Sequence, residues 1–462
     1  AVWCREHGSR SPDDGSSDTA HPKDLDMHHA TFQPANLTTF CNLDELGLTA
    51  IGQRFEPGKV VLECRVNEPD PWCRRCGAEG TLRDTVTRRL AHVPFGHRAT
   101  TLQIRVRRYR CDWCRKVWRE DTSTAAPSRA KITRAGLRWA LEAVVIDHLT
   151  VSRTAANLGV SWHTANTAIL TAGKQQLLDD PARFDGVTVI GVDEHVWRHT
   201  RYGDKYVTVI IDLTPVREKR GPARLLDMMS GRSKQVFSRW LSERTQAWRD
   251  GIEVVAMDGF TGFKTASKEH LPDAVEVMDP FHVVQLAGDA LDRTRQRVQQ
   301  ETLGHRGRAK DPLYGVRRVL RTGETFLTEK QQARLDAVFA DPAHADVWRA
   351  WRVYQQVVAA YREKFSGNGR RRLRELIDTV KQTTPARFVE LRKLAYTLDR
   401  RRADILAYFD HPRTSNGPTE AINGRLEHLR GSALGFRNLT NYIARSLLEA
   451  GGFRPYLHSQ MR

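Results

Sequence analysis

The stretch VTVIGVDEHVW, residues 187–197, decides how the middle of this chain is read. It is a short apolar run that ends in two acids, Asp193 and Glu194. A run of this length and character reads as a buried strand. KYVTVIIDLT (205–214) follows after a polar turn, and then ARLLDMMSG (223–231). The three together predict an antiparallel meander. SKQVFSRWLSERTQAW (233–248) has Val236, Phe237, Trp240 and Leu241 on one side, which is the spacing of an amphipathic helix. IEVVAMDGF (252–260) reads as a buried strand ending at Asp258, TGFKTASKEHLP (261–272) as a short helix, AVEVMD (274–279) as a strand, and FHVVQLAGDALDRTRQRVQQ (281–300) as a helix. The order strand, strand, strand, helix, strand, helix, strand, helix predicts an α/β fold with a mixed sheet flanked by helices.

Outward from this centre the character changes. Residues 293–405 carry no convincing strand and are rich in Arg, as in RRLRELIDTVKQ (371–382), so they are expected to be helical. TSNGPTEAINGRLEHLRG (414–431) opens another helix, with Glu420 near its start. Upstream, TVSRTAANLGVSWHTANTAI (150–169) reads as two short helices with a turn at Gly159 and a cap at Ser161. Trp162, His163 and Asn166 begin the second helix, where polar side chains of a helix-turn-helix reach base edges. A plain helical hairpin is the alternative.

Further upstream, Cys73, Cys76, Cys111 and Cys114 form two Cys-x-x-Cys pairs around a basic segment. Four thiolates from two tight turns suit a tetrahedral zinc ion; four ordinary reduced cysteines are the alternative. RRLAHVPF (88–95) and TLQIRVRRYRC (101–111) are expected to be strands of this small ribbon. Between Arg83 and Arg119 stand eleven Lys or Arg against two acids. Arg105, Arg107, Arg108 and Arg110 are therefore candidates for phosphate contacts.

The whole chain has 462 residues, enough for more than one domain, with a formal net charge of +18. Such a balance points to a polyanionic partner, with nucleic acid first. No run of about 18 apolar residues predicts a membrane span. Seven Cys without a secretory pattern indicate reduced thiols in a cytoplasm. Residues 1–26 are polar and precede Met27; they are expected to be a translated upstream extension.

Asp193 and Asp258 each end a predicted strand. If those strands are neighbours, their carboxylates project at one end of the sheet, and two close carboxylates repel unless a cation lies between them. Hard ions such as Mg²⁺ take oxygen ligands. Glu420 is the candidate third acid. On the residues alone the rivals stay open: Glu194 or Asp212 for Asp193, Asp279 for Asp258, and Glu427 for Glu420.

Three blocks carry a resemblance: VIGVDEHVWR (189–198), VVAMDGF (254–260) with LPDAVEVMDPFHVVQLAGDALD (271–292), and SNGPTEAINGRLEHLRGSALGFRN (415–438). In this order they resemble the ISL-three-type insertion-sequence transposases, DDE enzymes with a ribonuclease-H-like catalytic core. The likeness extends over roughly residues 40–455. It implies Asp193, Asp258 and Glu420 as the catalytic acids holding Mg²⁺ (or Mn²⁺), supported by Asp279 and His282 as an Asp-x-x-His pair. The domains it implies are a zinc ribbon over 27–125, a helix-turn-helix over 126–182, a ribonuclease-H-like core over 183–292, an all-helical insertion over 293–410, and the rest of the core over 411–462. The implied activity is DNA transposition: binding terminal inverted repeats, cleaving at the ends, and joining the 3′-hydroxyl to target DNA. The implied partners are double-stranded DNA and a second copy of the chain during synapsis, without a membrane, in a bacterial cytoplasm and its nucleoid. A non-catalytic DNA-binding regulator derived from a transposase is the alternative function.

Overall fold

The computed structural model describes residues 34–200 and 205–459. The expected upstream extension, 1–26, lies outside the described residues.

The N-terminal sheet is built from β1 (Leu48–Glu56), β2 (Lys59–Val66), β3 (Thr81–Phe95), β4 (Arg98–Arg110) and the short β5 (Val117–Arg119). Their order is β1-β2-β4-β3, with β5 paired to β4. β3 and β4 contain the two predicted ribbon strands and form a long antiparallel hairpin that turns at Gly96, whose φ is +60°. β1 and β2 were not expected from the sequence. A bulge between Ala50 and Gly52 breaks the alternation of β1. The Pro57-Gly58 turn, with Gly58 at φ +75°, was the available signal. Leu48, Leu62, Leu90, Leu102, Ile104 and Val106 fill the core of this sheet.

Three helices follow: α1 (Arg134–Val145), α2 (Val151–Leu158) and α3 (Trp162–Gly173). Thr133, Thr150 and Ser161 each cap the next helix by accepting a backbone N–H. Gly159 ends α2 at φ +66°, and a Cβ there would come within 2.9 Å of Ala99. Leu141, Val144, Leu158 and Ile169 pack together, joined by Leu448 and Phe453 from the far end of the chain.

The second sheet has the predicted element order, except that the helix expected over 233–248 ends at Ser242 and a separate short helix, Gln246–Asp250, starts at the Thr245 cap. β6 (Val189–Val196), β7 (Tyr206–Asp212) and β8 (Arg224–Ser230) form the antiparallel meander; then come α4 (Lys234–Ser242), β9 (Val254–Met257), α5 (Thr261–His270), β10 (Val275–Met278) and α6 (Pro280–Leu303). The spatial order is β10-β9-β6-β7-β8, with β6, β9 and β10 mutually parallel. One face buries Ile190, Val192 and Met257 against Phe237, Trp240 and Phe263. The other buries Val189, Val209 and Ala256 against residues of the last helices.

No strand follows β10 among the described residues. The chain continues through α7 (Glu329–Phe339), α8 (Ala345–Tyr361), α9 (Ser366–Thr383), α10 (Val389–Arg400) and α11 (Arg402–Asp410), which share a core with α6. It then returns to the sheet as α12 (Gly417–Ser432) and α13 (Leu439–Ala450), placing Ile422, Leu426 and Tyr442 on the second face. None of these helices is long and apolar enough to cross a membrane.

Candidate active site and metal centre

The strand register sets three aspartates in a row. Val192 of β6 pairs with Met257 of β9, and Met257 pairs with Met278 of β10. The next residues are Asp193, Asp258 and Asp279; the two latter follow the ends of β9 and β10, but Asp193 does not end its strand as expected, because β6 runs on to Val196 paired with β7. Neighbouring strands lie about 4.8 Å apart, so the three residues start from adjacent positions at one sheet end. Ends of parallel strands are where α/β sheets hold ligands.

α12 carries the fourth acid to this end. Asp279 is buried, and its Oδ1 accepts the backbone N–H of Asn416 at 2.8 Å. Asn416 stands at the N-cap of α12, so this bond ties the helix start to β10. Glu420 lies in the first turn of α12. Gly191 makes room for the approach: a Cβ there would lie 2.8 Å from Ile211 and 3.1 Å from Asn416 Oδ1. One turn past Glu420, Asn423 donates from Nδ2 to Asp193 Oδ2 at 3.2 Å. The sequence analysis missed Asn423. Its signal was the i, i+3 spacing from Glu420, which puts two side chains on one helix face.

The carboxyls crowd one another. Burial pushes Asp193 up to about 7; the N–H of Glu194 opposes the rise, and the charges of Asp258, Glu194 and Asp279 add to it. Asp279 is raised by burial against the Asn416 N–H. Glu420, an exposed residue, is raised by partial burial of its carboxyl and then by Asp279. His282 stands between two of the acids, with Nε2 3.8 Å from Asp258 Oδ2 and Nδ1 4.0 Å from Asp279 Oδ2. Its Nδ1 is buried and unbonded.

Three of the four rival acids have Arg partners; Asp279, the rival of Asp258, is held by the Asn416 N–H instead. Glu194 accepts from Arg232 at 3.1 Å. Asp212 sits at the far end of the sheet opposite Ile190, bonded to Arg224 at 2.9 Å. Glu427 is bonded to Arg430. Among the described residues, Asp193, Asp258 and Glu420 have no ion pair with Lys or Arg; only His282 approaches Asp258.

The ribbon gathers its four sulfurs more tightly. Cys73 and Cys114 are 3.5 Å apart, Cys76 and Cys111 3.4 Å, and all four ligand atoms lie within 4.8 Å of one another. Zinc bound at its usual sulfur distance requires edges of ~3.8 Å, so the set fits one tetrahedral ion. Each pair rides a matching knuckle. Gly77 N–H donates to Cys73 O, and Arg115 N–H to Cys111 O; Gly77 and Arg115 both have positive φ.

The predicted DNA-contact residues separate. Arg105 pairs with Glu63, Arg107 with the buried Glu120, and Arg108 with Asp84, directly opposite it across the β3–β4 ladder. Arg110 is exposed and has no ion pair among the described residues. The partners come from β2, β3 and the residue after β5, so sequence spacing could not reveal them. At the start of α3, Trp162 and His163 are exposed, whereas Asn166 is turned inward at 9% exposure. Asn166 falls one turn on, beside Ala165 and Ile169, where the helix meets its neighbours.

A transposase family model of the ISL3 group matches residues 190–446, and the zinc-finger model of the transposases IS204, IS1001, IS1096 and IS1165 matches residues 69–114. The transposase for insertion sequence element IS1557 of Mycobacterium tuberculosis is 27% identical over 322 residues, 64% of this chain and 68% of the relative. The transposase for insertion sequence element IS1001 of Bordetella parapertussis is 24% identical over 277 residues, 57% of this chain and 62% of the relative.

Proposed function

The chain belongs to the ISL3-type transposases, and on that premise we propose that its second sheet is a ribonuclease-H-like core whose Asp193, Asp258 and Glu420 form a DDE carboxylate triad. One observation carries the reading. Asp193, within β6, and Asp258, just past β9, occupy in-register positions where the parallel β6–β9 pairing ends, and the Asp279–Asn416 bond holds the start of the Glu420 helix there. The antiparallel meander extended by two parallel strands supports the core assignment.

The donor set suits a divalent cation. These are hard oxygen donors, Asp193 and Glu420 are raised by burial and by the nearby Asp279 charge, and the three lack Lys or Arg partners. Asp193, Asp258 and Glu420 would hold Mg²⁺ (or Mn²⁺), which when bound neutralises charge on the attacking and leaving oxygens of a phosphodiester. Asn423 orients Asp193, while Asp279 and His282 support Asp258 and the α12 start. In the first reaction, water attacks the phosphorus at the transposon end, the P–O3′ bond breaks, and the 3′-hydroxyl leaves with a proton. In the second, that 3′-hydroxyl attacks a target phosphodiester and displaces its 3′-oxygen.

The ribbon, with zinc on its four cysteines, and the α2–α3 pair, acting as a helix-turn-helix, bind the terminal inverted repeats under this reading. Trp162, His163 and Arg110 are their exposed contacts. Two chains act together when two ends are synapsed, in the cytoplasm and on the nucleoid. The test is incubation with a labelled transposon end, with and without Mg²⁺. Metal-dependent nicking that Glu420→Gln abolishes, with end binding intact, is expected. Binding without cleavage in every metal would turn the reading to a DNA-binding regulator.

A further inference from the structure

Just beyond Asp258, the turn into α5 is gripped from the helical region. Arg401, between α10 and α11, donates from Nη1 to the carbonyl of Gly259 at 3.2 Å. On its other side, Arg401 Nε donates to Asp404 Oδ2 at 2.7 Å. Lys264 of α5 reaches both oxygens of Asp404 at 2.7 Å. Arg401 is 5% exposed and Asp404 4%. The charges of Lys264, Lys268, Asp404 and Arg401 all act on Glu276 of β10, so three cations face two carboxylates.

Burying charges costs several kcal/mol per ion, and well-packed apolar residues often serve stability as well or better. Stability therefore gives a weak reason for this cluster. Its geometry offers a stronger one, because a guanidinium fork is rigid and can fix two groups at a set angle. Here the two groups are the carboxylate of Asp404 and the carbonyl of the residue that follows Asp258. The turn is held from the other side as well, since Asp258 Oδ1 accepts the N–H of Phe260 at 2.8 Å.

We propose that Arg401, locked by Asp404 and Lys264, is a positioning residue for Asp258, so that the helical region between β10 and α12 sets the geometry of the acid site. The proposal rests on the reading of Asp258 as a catalytic acid. Arg401 fixes the Gly259 carbonyl and with it the planar Gly259–Phe260 peptide, whose N–H is donated to Asp258 Oδ1 and so sets the direction of that carboxylate. Partners that orient a metal-binding carboxylate from outside typically change metal affinity 10- to 100-fold.

The experiment compares wild type, Arg401→Met, Arg401→Lys, the double variant Arg401→Met with Asp404→Leu, and Asp258→Asn, all in the full chain. The double variant guards against misfolding, because it removes the buried charge pair together. Three quantities are read: Mn²⁺ affinity by titration, amide exchange at Phe260 in metal-free protein, and the Mg²⁺ dependence of end cleavage. The Arg401→Met and double variants are expected to bind Mn²⁺ about tenfold more weakly. They exchange Phe260 faster and cleave at saturating Mg²⁺ with most of the wild-type rate. Arg401→Lys is expected to fall between them and wild type. A lower melting temperature with unchanged Mn²⁺ affinity and unchanged Phe260 exchange would mean that the cluster is only structural, and would overturn the proposal. Normal cleavage by Asp258→Asn would instead overturn the reading of the site.

Discussion

In the ribbon, four cysteine sulfurs already stand within 4.8 Å of one another; among the described acids no three carboxylates do. The two centres differ in how they are assembled. Each ribbon pair comes from one five-residue knuckle, closed by its own backbone bonds. The acids come from β6, the ends of β9 and β10, and the start of α12, over 200 residues of chain. A closed set of four soft ligands suits a structural ion that completes a fold, whereas an open set of hard ligands leaves room for water and substrate. The difference teaches that crowding means different things in the two places. The sulfurs converge from two short knuckles as a closed zinc set does, whereas Asp193 and Glu420 are raised by burial and by the nearby Asp279 without three carboxylates closing on one point.

The largest effect that could break this contrast is on folding. Cys76→Ser, or zinc chelation, is expected to unfold the ribbon, because structural zinc in small domains contributes ~10 kcal/mol or more. Near-UV circular dichroism and zinc stoichiometry would report it, while melting of the β6–β10 sheet stays close to wild type. A ribbon that keeps its fold without zinc would make the two centres alike.

Next comes chemistry without loss of fold. Asp258→Asn and Glu420→Gln are each expected to slow end cleavage by about three orders of magnitude, corresponding to several kcal/mol of charge stabilisation. Metal-free Asp193→Asn protein should melt higher than wild type, because it removes a crowded acid. That is the opposite sign to Cys76→Ser. Glu427→Gln should change cleavage little, since Glu427 is held by Arg430 and lies outside the row of Asp193, Asp258 and Asp279.

A smaller effect sharpens the ribbon side. Arg110→Ala should weaken end binding and lower the salt slope by about one unit. Arg108→Ala should leave that slope unchanged, because Asp84 already holds its charge. Equal slopes for both variants would remove Arg110 from the interface.

The smallest is a pH effect on the joint between ribbon and helices. His92 of β3 is bonded to Thr133 and to the carbonyl of Cys41, and burial lowers its affinity for a proton. The folded state thus favours the neutral ring. Its stabilisation is complete above the unfolded value of about 6.5 and is lost as pH falls through that value toward the lower folded one. Melts between pH 8 and 5 should show a steeper loss for wild type than for His92→Gln. Parallel curves would count against it.

Much of the sheet was legible because apolar runs are local. VTVIGVDEHVW, KYVTVIIDLT and IEVVAMDGF each declared a strand and placed an acid at or near its end. The cysteine pairs declared themselves for the same reason, since two ligands three residues apart lie on one turn. β1 escaped because its bulge disrupts the alternation that marks a strand. The ion pairs of Arg105, Arg107 and Arg108 escaped because their carboxylates arrive from β2, β3 and the residue after β5.

Periods, turns and caps are written in the sequence, and hence most of the elements and their approximate bounds. Only the tertiary structure decided which ends meet. The parallel register of β6, β9 and β10 aligned Asp193, Asp258 and Asp279, and the Gly191 gap with the Asn416–Asp279 bond brought α12 alongside. Arg401 and Asp404, about 140 positions from the turn they grip, belong to that second level. The physical reason is that periodicity and turn chemistry act between neighbours in the chain. Strand register and buried ion clusters act between segments that become neighbours only when the core closes.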